Sequence, residues 1–160
     1  MAYIDLVDDT ICALITTPGL SGISVVRVSG PNALRVSRQV CPFLKTTIES
    51  HRVYFGRLKS VTGDVIDEGL VTYFAQGQSL TGDECLEFSL HGGIACSERL
   101  LQELLSLGCR PAERGEFSFR AFYNGKIDLV QAEAIHSLIK SRNDVSRSQA
   151  IGQLTGHLSQ

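Results

Sequence analysis

The sequence predicts an α+β fold: a mixed or antiparallel β-sheet with helices on one face, followed by the first helices of an all-α domain. Three observations support this prediction. Two segments that alternate apolar and polar residues, as half-buried strands do, are each followed by a segment with helical spacing. A β-rich hairpin lies between these two strand–helix units. The last third of the chain has helical spacing only.

The composition is that of a folded domain rather than a disordered chain. The 160 residues are 43% hydrophobic and 20% charged, and the formal net charge is −2. A chain of this length forms one domain, or one domain and the start of a second. So small a net charge excludes a field over the whole molecule that attracts nucleic acid or a membrane surface. Any nucleic-acid contact is therefore expected to be local.

The cysteines and histidines lack the spacing of a disulfide scaffold or a metal site. The five cysteines include no C-x-x-C pair, and the four histidines show neither i, i+4 pairing nor H-E-x-x-H. We expect no bound metal. The N-terminus lacks the basic region of a secretory signal, and no segment approaches the roughly 18 apolar residues of a membrane span. The sequence predicts a protein of a reducing, cytoplasmic compartment without a membrane contact.

The chain begins with the order strand, strand, helix. Residues 10–16 contain an apolar run that is typical of a strand buried on both faces. Residues 22–28 alternate, and Arg27 shares one face of this second strand with an isoleucine and a valine. Pro31 fits the first position of a helix that Pro42 ends. The apolar stripe of this helix consists of Ala33, Leu34, Val36, Val40 and Cys41.

A hairpin and a second strand–helix unit follow. Residues 51–60 and 65–75 are rich in Val, Tyr and Phe, and residues 61–64 have the composition of a turn between them. Residues 84–90 alternate, which places Glu87 on the polar side of the strand. A helix begins after Gly92-Gly93 and ends at Gly108. The predicted stripe of this helix consists of Ala95, Leu100, Leu101, Leu104, Leu105 and Leu107.

The last third is predicted to be helical. A short helix ends at Asn124-Gly125, and Asp128 with Gln131 forms a capping box that begins the next helix. The apolar positions of that helix are Ala132, Ile135, Leu138 and Ile139. Further on, a narrow apolar seam consists of Ile151, Leu154 and Leu158. Because nothing in the chain is left to cover this seam, we expect the chain to be an N-terminal fragment of a longer protein.

The motifs of common enzyme centres are absent. The sequence contains no G-x-G-x-x-G, no G-x-S-x-G and no G-x-x-x-x-G-K-[ST]. We therefore assign no catalytic residue to these 160 residues.

Three residues have an environment that suggests binding, and each has a simpler alternative. Glu87 lies on a strand that leads into a helix N-terminus, which favours anions, but the pattern by itself favours a solvated strand residue. Arg27 lies among apolar residues, so it needs a partner, either a ligand or an internal salt bridge that includes Glu87. Lys126 lies between two helices, where a solvated lysine near a helix end is the ordinary case.

Three segments together resemble a known family. DTICALITTPGLSGISVVRVSGP, SLTGDECLEFSLHGG and GEFSFRAFYNGKIDLVQAEAI are similar, in this order and at compatible distances, to the N-terminal domain of the MnmE (TrmE) family of tRNA-modification GTPases. The resemblance covers nearly all of residues 8–160. It implies a domain similar to the tetrahydrofolate-binding domains of glycine-cleavage T-protein. Residues 1–122 then form the folate-binding and dimerisation domain, and residues 123–160 begin a helical domain.

The resemblance also implies a site. The positions that match the family's folate contacts are Arg27 in VVRVSG, Glu87 in LEFSLHGG and Lys126 in NGKIDL. The ligand is 5-formyl- or 5,10-methylene-tetrahydrofolate. A carboxylate suits the ring N–H and exocyclic amine of a pterin, and cations suit the glutamyl carboxylates or the formyl and ring carbonyl oxygens. We expect the three side chains to converge beside one crevice, within one subunit or across a dimer.

The family's activity is implied in the same way. The complete protein is expected to be a homodimer that acts with the flavoprotein MnmG (GidA) on C5 of the wobble uridine of tRNA. GTP, Mg²⁺ and K⁺ belong to a G domain that these 160 residues lack, so this chain is not expected to hydrolyse GTP. Two alternatives remain open: a self-contained folate-dependent aminomethyl or methyl transferase, and a structural dimerisation module with a vestigial folate site.

Overall fold

The computed structural model describes residues 8–156. The chain divides into two compact units. Of the described residues, 8–79 and 83–114 form the first unit, and 80–82 and 115–156 form the second. None of the helices within the described range is long and apolar enough to cross a lipid bilayer.

The first unit contains a six-stranded sheet in the order β3-β4-β5-β2-β1-β6. Neighbouring strands are antiparallel except for β1 and β6, which are parallel, so the sheet is mixed. The strands are β1 (Ile11–Leu14), β2 (Ile23–Ser29), β3 (Arg52–Lys59), β4 (Val65–Phe74), β5 (Cys85–His91) and β6 (Arg110–Pro111). Two helices belong to this unit, α1 (Ala33–Val40) and α2 (Ile94–Ser106).

The core lies between the two helices and one face of the sheet. Residues that alternate along β2 and β5, such as Val26 and Phe88, are fully buried in one cluster with Val36 of α1 and Leu100 of α2. Burying such side chains contributes about 1.5–3 kcal/mol each. The predicted α+β class and the predicted helices on one face of the sheet are therefore confirmed.

The start of α1 differs from the prediction. The helix begins at Ala33 after the N-cap Asn32, so Pro31 lies before the helix and not at its first position. The reason is that side chains outside the helix satisfy its first N–H groups. Asn32 N–H donates to Thr10 Oγ1 at 2.9 Å, and Leu34 N–H donates to Glu84 Oε2 at 3.1 Å.

The buried face of α2 also differs from the predicted stripe. Ala95 is exposed and Leu105 is 38% exposed, whereas Glu103 is buried. Glu103 Oε1 accepts the N–H of Val61 at 2.7 Å, and Oε2 pairs with Arg99 at 3.3 Å. A buried carboxylate with these partners fixes the β3–β4 turn against the helix. Hydrophobic periodicity contains no signal for such a polar anchor.

The second unit consists of three helices, α3 (Glu116–Tyr123), α4 (Leu129–Lys140) and α5 (Asp144–Leu154). The predicted capping box is confirmed, because Asp128 Oδ1 accepts the Gln131 N–H and Gln131 Oε1 accepts the Asp128 N–H. The predicted stripe of α4 is wrong in part, since Ala134 is the buried residue and Ile139 is 79% exposed.

The end of the second unit was incompletely predicted. The structure contains a separate helix, α5, whose N-cap Asn143 accepts the N–H of Ser146. Gln131 Nε2 donates to the carbonyl of Leu154 at 3.0 Å and so links α4 to the end of α5. Of the predicted apolar seam, Ile151 is 36% exposed, and Leu158 lies outside the described residues.

Candidate functional site

One row of side chains crosses the sheet on the face opposite α1 and α2. Residues that are paired in register have their side chains on the same face of a sheet. From β3 to β1, this row consists of Val53, Thr72, Glu87, Arg27 and Ala13. The alternation correctly predicted that Glu87 lies on the polar side of its strand. Arg27 was expected among the apolar residues of its strand, but Val26 and Val28 of the opposite face form the core, so Arg27 lies on the face away from it.

Arg27 and Glu87 form an ion pair within this row. Arg27 Nε donates to Glu87 Oε1 at 2.9 Å, and Nη2 lies 2.8 Å from the same oxygen. The side chains are 15% and 27% exposed, so the pair is partly shielded from water. The internal salt bridge, which sequence analysis held as an alternative to a ligand for Arg27, is therefore present.

The ion pair leaves part of the carboxylate available. Both contacts of the guanidinium are with the same oxygen, Oε1, and Oε2 accepts no hydrogen bond from any residue in the range 8–156. A carboxylate has about four acceptor sites. Glu87 can thus bind a further donor group without losing Arg27, and an internal salt bridge and a ligand are compatible at this position.

Lys126 belongs to the second unit and lies between α3 and α4. Its backbone is fixed by the end of α3, where Lys126 N–H donates to the Ala121 carbonyl at 2.8 Å and Gly125 N–H donates to the Phe122 carbonyl at 3.0 Å. Gly125 has φ +67°, so these bonds form a Schellman motif. The structure thus brings together two of the three predicted site residues, Arg27 and Glu87. The convergence of Lys126 with them stays a prediction.

A shallow depression of about 480 Å³ lies on the same face of the sheet, beside the row of side chains that contains Arg27 and Glu87. Ile23, Phe55, Leu70 and Ser89 line it. Phe55 is 65% exposed and Leu70 is 44% exposed, although both are large and apolar. The sequence motifs did not indicate this surface. The pattern that could have indicated it is that Leu70 lies on the opposite face of β4 from Val71 and Tyr73, which point to the core.

Glu84 anchors the start of the strand that carries Glu87. Its Oε1 accepts the O–H of Tyr73 at 2.9 Å, and its Oε2 accepts the N–H of Leu34. Burial, together with the Glu84 carboxylate, raises the pKa of Tyr73 to about 12, so the phenol stays a donor at neutral pH. Glu84 therefore holds β5 to both β4 and α1, three residues before Glu87.

The thiol beside the ion pair is not a nucleophile. Cys85 lies on the same face of β5 as Glu87 and is buried. Burial raises the pKa of its thiol to about 12, because a thiolate is poorly solvated there. At neutral pH Cys85 is a neutral, apolar neighbour of the site.

Asp67 and His91 fix the other end of β5. Asp67 Oδ2 accepts the backbone N–H of His91 at 2.9 Å, and Oδ1 accepts the Nδ1–H of the ring at 2.8 Å. The Asp67 carboxylate raises the pKa of His91 above its usual 6.5. Burial raises the pKa of Asp67, but hydrogen bonds from His91 and from the Glu68 N–H outweigh burial and lower it below 3.8.

This pair predicts a pH-dependent contribution to stability. Because the pKa of His91 is raised in the folded state, His91 makes its full contribution to the free energy of unfolding below about pH 6.5. This contribution is lost as the pH rises through the pKa of His91 in the folded chain. The Asp67 contribution is complete above about pH 4 and is lost as the pH falls through its lowered pKa. We expect His91→Gln to reduce the free energy of unfolding more at about pH 5.5 than at about pH 8.5. Urea unfolding at the two pH values measures this difference.

The control for this prediction is Asp67→Asn. In that background the cost of His91→Gln is expected to differ much less between the two pH values, because the Asp67 carboxylate, the main cause of the raised pKa of His91, is gone and only the smaller effect of Glu68 is left. An equal cost of His91→Gln at both pH values in the otherwise unchanged chain would contradict the prediction.

The comparison with known proteins identifies the family. The family model of the GTP-binding protein TrmE N-terminus matches residues 10–126. Similar proteins include the tRNA modification GTPases MnmE of Bdellovibrio bacteriovorus, 55% identical over 152 residues, Alkalilimnicola ehrlichii, 45% over 147, and Geobacter sulfurreducens, 42% over 158. The alignments cover 94%, 92% and 96% of this chain but 32%, 32% and 34% of these relatives.

The chain thus spans about a third of the length of the curated relatives that it matches. The family match overlaps all three segments on which the resemblance rests, and it includes Arg27, Glu87 and Lys126. The chain belongs to the TrmE N-terminal family, the N-terminal domain of MnmE-type tRNA modification GTPases.

Proposed function

We propose that this chain binds a tetrahydrofolate one-carbon donor, in the 5-formyl or 5,10-methylene form, through Arg27, Glu87 and Lys126. The observation that carries the proposal is the Arg27–Glu87 pair. It lies on the face of the sheet away from the core, and Glu87 Oε2 accepts no hydrogen bond within the described residues. Membership of the TrmE family supports the same residues.

Glu87 is proposed to bind the pterin. The pterin edge presents a ring N–H beside an exocyclic amine, and a carboxylate accepts two such donors through its two oxygens. Oε1 already accepts the Nε–H of Arg27 and lies 2.8 Å from its Nη2. We expect the second pterin donor to approach Oε1 beside Nε, so that Nη2 turns toward a carbonyl oxygen of the ligand.

The apolar surroundings suit the rest of the ligand. Phe55, Leu70 and Ile23 offer an apolar surface next to the ion-pair row, on which a pteridine ring can lie flat. The glutamyl part of folate carries carboxylates, for which Lys126 is the proposed cationic partner. These roles account for the residue types at all three positions.

We further propose that the same face of the sheet forms a homodimer. Ile23, Val53, Phe55 and Leu70 are between 44% and 65% exposed, and such clusters of large apolar residues on a surface mark interaction sites. A second copy of the chain matches this surface with its own copy of the patch around a twofold axis, and each pteridine ring then lies at the edge of this interface, between the two copies.

A charged substitution tests the dimer. Phe55→Asp is expected to shift the chain from dimer to monomer in sedimentation equilibrium, because a carboxylate within an apolar interface loses its hydration. The matched control is Val61→Asp, an equally exposed position in the turn after β3, which is expected to stay dimeric. A monomeric parent chain, or a Phe55→Asp variant that stays dimeric, would contradict the proposal.

For the whole protein we propose the activity that the names of the relatives state, tRNA modification by a GTPase. This chain then supplies folate binding and dimerisation, and GTP with Mg²⁺ and K⁺ binds in a separate G domain. The flavoprotein MnmG and tRNA, modified at C5 of the wobble uridine, are the proposed partners, and the complex acts in the cytoplasm.

Calorimetric titration with 5-formyltetrahydrofolate tests the proposed function of this chain. We expect saturable binding with one ligand per chain and no hydrolysis of added GTP. Binding of folate without any effect of changes at Arg27, Glu87 or Lys126 would contradict the proposed site. No binding at all would leave a structural dimerisation module as the function of the chain.

A further inference from the structure

A short segment of the loop before β5 belongs to the second unit. Leu80–Gly82 lies in sequence between β4 and β5, both in the first unit, yet it is grouped with the helices that start at Gly115. Its central residue, Thr81, is fully buried. The segment is therefore a structural part of the helical unit that contains Lys126.

The contacts of this segment are with the joint between α3 and α4. Asn124 Nδ2 donates to the carbonyl of Thr81 at 2.7 Å. Gly82 leaves no space for a side chain, since a Cβ there would lie 2.9 Å from Asn124 Cβ and 3.2 Å from Lys126 Cγ. Gly82 also has φ +83°, a conformation that side chains disfavour.

The contact with Lys126 involves the base of its side chain. The backbone of Lys126 is already held by the Schellman motif that ends α3, and the capping box of Asp128 begins two residues later. If a Cβ is added at Gly82, the side-chain carbons are thus the part of Lys126 that can move away from it. A displacement at Cγ moves the whole remaining side chain, including the ammonium group, whereas a contact near Nζ would displace the ammonium group alone.

We propose that Gly82 and Asn124 are positioning residues for Lys126, which hold the lysine side chain in the direction that folate binding requires. This inference rests on the proposed function, because it assigns the consequence to the folate affinity. Gly82 acts by the absence of a side chain beside Lys126 Cγ, and Asn124 acts by binding the segment that contains Gly82. Neither residue needs to touch the ligand.

A double-mutant cycle measured by calorimetric titration with 5-formyltetrahydrofolate tests this proposal. We expect Lys126→Met to lower the affinity about tenfold or more, and Gly82→Ala to lower it by a comparable factor. In the Lys126→Met background, Gly82→Ala is expected to change the affinity by less than about twofold, since the group that it displaces is gone. A general loss of structure would instead lower the affinity by the same factor in both backgrounds.

Gly77→Ala is the matched control. Gly77 lies in the same loop and has φ +77°, but a Cβ there would meet no atom within 4 Å. The Gly77→Ala variant carries the same backbone strain but has no contact with Lys126. Its affinity for folate is therefore expected to equal that of the parent chain. Asn124→Ala is a milder second variant in case Gly82→Ala fails to fold, and it is expected to show the same dependence on Lys126.

The outcomes separate this inference from the proposed function. If Lys126→Met binds folate as the parent chain does, the proposed role of Lys126 fails. The positioning role fails, while the folate site stands, if Lys126→Met weakens binding but Gly82→Ala and Asn124→Ala do not. It also fails if Gly82→Ala or Asn124→Ala lowers the affinity by the same factor with and without Lys126→Met.

Discussion

Replacing Glu87 by glutamine is expected to lower the affinity for 5-formyltetrahydrofolate by about 10- to 100-fold, because hydrogen bonds to a charged group are worth about 1.5–3 kcal/mol. The amide keeps the shape of the carboxylate but presents an NH₂ group where an oxygen stood. That group faces either a pterin donor or the Arg27 guanidinium, and both are donors. Calorimetric titration of the two chains gives the ratio of dissociation constants.

The same substitution is expected to change the free energy of unfolding by about 1 kcal/mol or less. Arg27 keeps an acceptor in the carbonyl oxygen of the introduced amide, and both side chains retain access to water at 15% and 27% exposure. A large loss of affinity with a small loss of stability distinguishes a binding residue from a structural salt bridge. Urea unfolding of the same samples provides the second measurement.

Glu49→Gln is the control for Glu87→Gln. Glu49 also pairs with an arginine, Arg52, at 3.1 Å, but this pair is well exposed and lies at the start of β3. We expect the Glu49 variant to bind folate as the parent chain does. An unchanged affinity in the Glu87 variant, or an equal loss in both variants, would contradict the role of Glu87 in the site.

The face of β5 on which Glu87 lies could be predicted from the sequence because a strand has a period of two and residues 84–90 alternate apolar and polar side chains. The face of Arg27 could not be assigned in this way, because both faces of residues 22–28 carry apolar residues. The observed register pairs the two residues directly. The register itself could not be derived from either strand alone. It depends on which strands become neighbours, and β2 and β5 are separated in sequence by α1 and a hairpin.

What could not be predicted involves polar anchors and contacts distant in sequence. Glu103 interrupts the leucine stripe of α2 and is buried because the N–H of Val61 and Arg99 provide partners. Strand β6 has two residues and exists because β1 offers an edge for pairing. The grouping of Leu80–Gly82 with the helical unit rests on a contact between Thr81 and Asn124 across more than forty positions. Local patterns carry no information on such pairs.

Gly92→Ala is expected to have the largest effect on stability. Gly92 connects β5 to α2, and its N–H donates to the Gly22 carbonyl at 3.1 Å. A Cβ at this position would lie 1.7 Å from the carbonyl oxygen of Ser21 and 2.3 Å from its carbonyl carbon. Both atoms belong to the backbone, so no side-chain rotation relieves the overlap. The β1–β2 loop or the start of α2 has to move.

We expect this movement to cost about 3 kcal/mol or more of the free energy of unfolding, a large part of the roughly 5–15 kcal/mol that stabilises a domain. The control is Gly22→Ala at the other end of the same hydrogen bond, where a Cβ meets no atom within 4 Å and φ is not left-handed. That variant is expected to stay within about 1 kcal/mol of the parent chain. If urea unfolding gives the two variants the same stability, β5 and α2 do not require the close backbone contact at Gly92.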